Sequence, residues 1–592
     1  MRLDPARLIW AWPLLLPGLA LAQVPLPSQR SEIAPTRQPE AGPPGGSDAA
    51  PAPQGFDAPG FNNPGFNAPG FNAPLARSPA PGVPALANSA FTPLSQGFPF
   101  NATSPPAEAP GRRFTVTPSI AAQVLGTDNL QQTSTNRRAE VITTITPGLF
   151  ITADTVRLQG LLNYTPGVQI YGSDASRPQV LQRFNGQFLA TIVPEAIFLD
   201  VRGAAATQAL NGGFAPQSSP SLGRNGLVQT IAYQIAPYWM HRFADVATVQ
   251  AGYAFQSVQQ SLVGGGPSLA SVSSAPFPPT SFGNDHFTAH SVYGVARTGQ
   301  RFGPLAVEGR LISTDYEGTG VLDGAYRRSA TLEGRYFITR RVAVLAEGGY
   351  EMQRYAGTPR YELSEPIWSV GARVALSPDS GFTLRLVHRG GFTSPALDSV
   401  FALGGRTRIF ASYSERLTTG AQRAADFLSL TTLDALGNPV DSLSGAPTAQ
   451  PFADSFLGVQ SSLLRIRRAS ATISQSWPRD VFSVTVASER QRPVAVAAGA
   501  SAIEQRGTSV TASWAHALTP STTAIASLQY GRLERQGQPT GDIYGGTVSL
   551  ITQLAPGLSA YAQYGITNRS QDFGGGGRAV QNIVVVGIRQ SF

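Results

Sequence analysis

Residues suited to catalysis or metal binding are few. The chain has 5 histidines (His241, His286, His290, His388 and His516) and no cysteine. Without cysteine there is no disulfide framework, no thiolate metal site and no lipidated N-terminal cysteine. His286 and His290 stand four apart, but in a strand or loop that spacing makes no helical metal pair. Asp285-His286 is the adjacent acid–histidine pair, in a stretch that reads as an external loop. No GxSxG elbow, phosphate loop or HExxH motif accompanies it. The expectation is no enzyme, no cofactor and no metal.

Charge spacing says more. All 44 basic residues are arginine, and against 36 acidic ones they leave a net charge of +8. The arginines are scattered with no recurring basic stripe, so nucleic acid is not an expected partner. In three stretches the charges follow a period of two, the signature of a strand. Glu308 and Arg310 oppose Val307, Gly309 and Leu311. Glu333 and Arg335 oppose Leu332, Gly334 and Tyr336. Glu347 and Glu351 oppose Val344, Ala346 and Tyr350. Arg385 and Arg389 share a strand face, as do Arg465 and Arg467. An arginine facing lipid at mid-bilayer costs roughly 2–4 kcal/mol. If these strands cross a membrane, such charges are expected to face the lumen or sit at the rims, and all ten residues are lumen candidates. The mixed signs of the first six suit a salt-bridged ladder that stiffens the wall. The four arginines read as unpaired suit an electrostatic constriction that favours anionic solutes such as acidic sugars.

The elements that must carry these residues are strands. From Arg112 onward, alternating runs break at Gly, Pro, Asn or Asp. In Ile197-Phe198-Leu199-Asp200-Val201-Arg202 the odd positions are aliphatic, and in LSAYAQYGI Leu558, Ala560, Ala562, Tyr564 and Ile566 line one face. No window reads as a long amphipathic helix, and no apolar run reaches the about 18 residues of a spanning helix. Charged residues make up 14 %, against roughly 25 % in soluble domains.

Connections are sorted by length. Short ones, such as Val193–Glu195, Ala244–Asp245, Arg340–Arg341, Pro478–Asp480 and Ala555–Gly557, alternate with long ones. The long ones are Asn211–Gly226, Leu262–Asn284, Thr358–Glu365, Gly420–Ala453 and Asp572–Val580. Outer-membrane barrels alternate in this way. The expected fold is all-β: a transmembrane antiparallel outer-membrane β-barrel over 112–592, with about 20–22 strands if Leu397–Leu403 is a short one. Trp239, Tyr336, Tyr413 and Trp514 are candidate interface anchors. The last stretch, NIVVVGIRQSF, puts Val584, Val586, Ile588, Gln590 and Phe592 on one face. A terminal Phe592 on such a strand resembles the signal read by the barrel-assembly machinery.

The first residues differ. MRLDPAR, an apolar run and Ala20-Leu21-Ala22 form a signal-peptide layout over 1–22. Residues 23–111 are rich in Pro, Gly and Ala and are expected to be a disordered periplasmic arm. GFDAP, GFNNP, GFNAP and GFNAP recur over 55–74, spacing Phe56, Phe61, Phe66 and Phe71 five apart. The arm is a candidate for docking on periplasmic proteins.

Three stretches carry a family resemblance: FTVTPSIAAQVLGTDNL (Phe114–Leu130), ITPGLFI (Ile145–Ile151) and RTRIFASYSERLTTG (Arg406–Gly420). The last is followed by a long loop and the return FLGVQSSLLRIRRASATISQSW. Together they resemble the outer-membrane barrels associated with PEP-CTERM and exopolysaccharide gene clusters, close to the putative β-barrel porin type 2 group. The resemblance implies a barrel in the outer-membrane lipid bilayer of a Gram-negative cell and a part in exopolysaccharide export. It supplies no catalytic residue. The two functions in view are a porin-like channel for small solutes or saccharides, and a structural or adhesive surface barrel with a closed lumen.

Overall fold

Twenty-two antiparallel strands close on themselves in the computed structural model. It describes residues 114–209, 227–263, 285–377, 380–404, 406–433, 439–441, 456–497, 503–570 and 577–592. The expected signal segment and arm lie outside the described residues. The first strand, Phe114–Thr127, pairs with its successor Glu140–Asp154 and also with the last strand, Ala579–Ser591. That second pairing, from Ser119↔Ser591 to Thr127↔Ile583, closes the ring and leaves no sheet edge. Every other wall strand pairs with its neighbours in the sequence, so the order is a plain up-and-down meander.

The sheet has 24 ladder segments because two strands are each broken once. Leu158–Tyr164 and Gly167–Tyr171 keep one register against Glu140–Asp154, and the break falls at Thr165-Pro166. Proline has no N–H to give to a ladder. The facing strand breaks beside it, between Asp174–Leu181 and Phe184–Val193, and the Thr165 N–H reaches the Arg183 carbonyl at 2.8 Å.

Alternation sorts the two faces. Outward residues are large, apolar and exposed: Leu311 64 %, Leu332 59 %, Leu528 69 % and Val548 59 %. Their inward neighbours are buried and mostly polar, including Glu308, Glu333, Gln491 and Ser549. An apolar belt around a closed sheet is the outer-membrane barrel design. In the last strand Val584, Val586 and Ile588 face out, while Ile583, Val585 and Arg589 are buried inside. Trp239, Tyr336 and Trp514 stand on the outward face.

The end of the barrel that carries both strand termini has the short turns, such as 194–196, 244–246 and 556–557. The long connections gather at the other end. Two strands are longer than expected. Tyr361–Ser377 begins inside the expected Thr358–Glu365 loop, and the expected short strand Leu397–Leu403 is the end of a full one, Phe392–Leu403. The third departure is larger: the expected loop Gly420–Ala453 opens with a helix, Gly420–Leu430.

Candidate functional site

The site is the lumen. Its charged wall is built by strands Leu305–Gly318, Tyr326–Phe337, Val342–Tyr355 and Ser380–Arg389, whose registers place Glu308 beside Glu333 and Glu333 beside Glu347. Three carboxylates in one rung would repel. Arginines from both sides offset them. Glu308 is held between Arg297 and Arg310. Arg385 Nη2 reaches over two intervening strands to Glu333 Oε1 at 2.9 Å. Arg389 Nη2 meets Glu347 Oε1 at 3.0 Å, and Ser369 Oγ donates to the other oxygen at 3.1 Å. Arg327 Nε meets Glu351 Oε1 at 2.9 Å. Arg335 lies over the Phe337 ring, 6.0 Å from its centroid.

Eight of the ten candidate residues are thus brought together in the lumen: Glu308, Arg310, Glu333, Arg335, Glu347, Glu351, Arg385 and Arg389. Two corrections follow. Arg385 and Arg389 are not an unpaired arginine face, because their partners stand three and two strands away along the wall. Arg465 and Arg467 are not in the lumen. They share a face with the exposed Ile473, whereas Arg468 on the other face meets the buried Glu489 at 3.7 Å. Both instead pair with Glu415 of the adjacent strand Thr407–Thr418, at 2.5 and 3.3 Å.

Alternation also separates Asp285 from His286, since adjacent strand residues face opposite ways. His290, on the same face as His286, meets the Tyr253 hydroxyl at 2.6 Å. No group of three metal-ligating side chains occurs among the described residues.

The helix Gly420–Leu430 occupies the lumen at the long-loop end. It leaves strand Thr407–Thr418 and packs against Ile197–Ala209, Leu227–Phe243, Ala247–Leu262 and Asp285–Thr298. A capping box starts it: Gln422 N–H donates to Thr419 Oγ1, and Thr419 N–H donates to Gln422 Oε1, both at 3.0 Å. Ala421, Ala424, Ala425 and Leu428 lie at i, i+3, i+4 and i+7, one face of a helix. They pack on Ala204, Ala232, Val258 and Ala289, whose small side chains let the helix lie close to the wall. The same apolar cluster reaches Tyr355, Leu417, Leu463 and Ala495 on other strands.

Polar ties fix the helix. Arg416 meets Asp426 at 3.1 Å, Arg423 meets Glu489 at 3.1 Å, and Arg202 donates to the Leu428 carbonyl at 2.9 Å. Arg202 is itself held by Asp200 at 2.8 Å. Burial raises the Asp426 carboxyl above its ordinary value, against the pull of Arg416. Between helix and charged wall remains a cavity of about 30 Å³, lined by Arg327, Arg389, Glu415, Arg416 and Asp426 among others, with room for a water or two.

No protein-family model matches the chain, and no curated protein matches it either. Similar solved structures exist. OccK2 (OpdF) of Pseudomonas aeruginosa, solved in complex with glucuronate, is 9 % identical with a TM-score of 0.32, over 81 % of this chain and 98 % of that one. The ferric-catecholate import receptor Fiu of E. coli K12 is 9 % identical with a TM-score of 0.44, over 81 % and 82 %. OmpT of Vibrio cholerae, lacking loop L8, is 11 % identical with a TM-score of 0.27, over 81 % and 100 %.

Proposed function

We propose that this barrel is a porin-like channel of the outer membrane, closed at its long-loop end by the helix Gly420–Leu430 and opened when that helix leaves the lumen. The observation that carries the reading is that the helix is an insert and not part of the wall. The hydrogen-bonded ring closes without it, and small-residue contacts and a few arginine ties hold it. Arginines outnumber carboxylates in the lumen, with Arg373, Arg535, Arg569 and Arg589 added to the charged wall, which supports anionic solutes, acidic saccharides among them. In this reading the long loops face the exterior and the arm lies in the periplasm. A part in exopolysaccharide export rests on the family resemblance. Phe592 serves as the assembly signal in the same reading.

A second reading, a structural or adhesive barrel that never opens, is favoured by the apolar cluster that joins helix to several walls. Planar-bilayer recording separates the two. The whole chain is compared with one in which residues 419–461 are replaced by a short turn. A large, steady, anion-selective conductance in the shortened chain, against rare openings in the whole one, is expected. Silence from both, with folded barrels, selects the structural reading.

A further inference from the structure

The outer wall carries an arginine cluster that neither the channel nor the helix uses. On strands Ser462–Ser476, Asp480–Val496, Gln505–Thr519 and Thr522–Arg535, Arg465, Arg467, Arg490, Arg492, Arg506 and Arg532 all stand on the outward face at the long-loop end. The register sets them side by side. Arg465 is directly opposite Arg492, and Arg467, Arg490 and Arg506 form one unbroken rung across three strands. Directly opposite residues on a sheet lie only about 4.5–5.5 Å apart at Cβ, and like charges there are destabilising.

Four nearby carboxylates offset only part of the charge of these six arginines. Glu415 is shared by Arg465 and Arg467, Glu504 meets Arg490 at 2.5 Å, Glu534 is directly opposite Arg506 and 3.7 Å from Arg532, and Asp542, directly opposite Arg532, accepts from the Tyr530 hydroxyl at 3.0 Å. Arg492 and Arg506 have no ion pair and no side-chain hydrogen bond among the described residues. Below the cluster the same faces turn apolar. Val486, 43 % exposed, comes four residues below Arg490, and Leu528, 69 % exposed, comes four below Arg532. A cationic shelf directly above an apolar belt matches an amphiphile with an anionic head and hydrocarbon tails. Arginine forks suit phosphate oxygens in particular.

We propose that this shelf, centred on Arg490, Arg492 and Arg506, binds the phosphate-bearing headgroup of a lipid in the bilayer leaflet at the long-loop end, with its acyl chains along Val486 and Leu528. The site does not depend on whether the lumen conducts. The test is native mass spectrometry of the full chain in detergent, titrated with bisphosphorylated lipid A, its dephosphorylated form and inorganic phosphate. Wild type is expected to retain the bisphosphorylated lipid and not the dephosphorylated one. Combining Arg490→Gln, Arg492→Gln and Arg506→Gln is expected to weaken retention about a hundredfold, at about fivefold for each arginine beside an anionic headgroup. Arg492→Gln alone, which breaks no contact of the fold, is expected to cost about fivefold. Unchanged retention by a folded Arg492→Gln and a folded triple variant would overturn the site. Equal retention of the dephosphorylated lipid, or displacement by equimolar inorganic phosphate, would overturn the lipid headgroup as its ligand. Heat-modifiable migration of each sample reports folding separately.

Discussion

Leu428→Ala tests the seat of the helix. The Leu428 side chain is 5 % exposed and packs in the cluster that holds the helix to Ala204, Ala232 and Val258. Its backbone carbonyl, the acceptor for Arg202, is untouched by the substitution. Leucine-to-alanine changes in packed sites cost about 2–5 kcal/mol. Here the void opens toward a lumen that water can enter, so the lower figure applies, about 2 kcal/mol. The loss falls on the seated state alone, because a released helix exposes Leu428 to water in either chain. A difference of about 2 kcal/mol between two states is a shift of about thirtyfold in their ratio. Single-channel recording should therefore show open probability rising about thirtyfold, or to saturation, with unit conductance and selectivity unchanged because the wall is unchanged. Leu332→Ala, on the outward face, should leave open probability where it was. If Leu428→Ala folds to the same heat-modifiable species and opens no more often than wild type, the helix is not the closing element.

Three further outcomes are expected. Acidification should close the channel: the raised Asp426 carboxyl, faced by Arg416, Arg327 and Arg423, binds a proton more readily in the seated helix than in a released one, so open probability falls as pH drops toward that value. Asp426→Asn should flatten this dependence in the same recordings. Glu308→Gln strips the partner shared by two inward arginines and should cost about 3–5 kcal/mol at most, read as a lower urea midpoint for unfolding from detergent or liposomes. Leu332→Arg puts a charge on the lipid face and should cost roughly 2–4 kcal/mol in the same assay, whereas charge on the lumen side of that strand is native.

Much of the wall was legible because two solvents act on it. Lipid on one side and polar groups on the other impose a period of two, and the residues next to Leu311, Leu332 and Tyr350 follow it, with exceptions such as the inward Leu345. The partners of Arg385 and Arg389 were not legible, since they depend on register and on reach over neighbouring strands, neither of which alternation encodes. Arg465 and Arg467 were misplaced for a physical reason. Beside the helix the inside mixes apolar residues, Leu464 and Ile466 among them, with paired charges such as Arg468 and Glu489, so charge alone does not mark the lumen face there. The helix itself left signals: a Thr419–Gln422 capping box and apolar residues at 421, 424, 425 and 428. Eleven residues inside a long polar connection are easily passed over when every neighbouring segment has strand period.

The seam between Phe114–Thr127 and Ala579–Ser591 has a kinetic consequence. Every other rung of the wall is a hairpin, formed between segments adjacent in the chain and quick to find each other. The seam alone joins residues as distant as Ser119 and Ser591. For a flexible chain, closing a loop that long costs about 5 kcal/mol beyond the constant for any loop. A sheet that zips up from its hairpins lowers this cost, because the curved array delivers its two edges to each other. The slow step of maturation is then a single latching event, and until it occurs both terminal strands present unpaired edges to any other chain nearby. The population most at risk of aggregation is the nearly complete one.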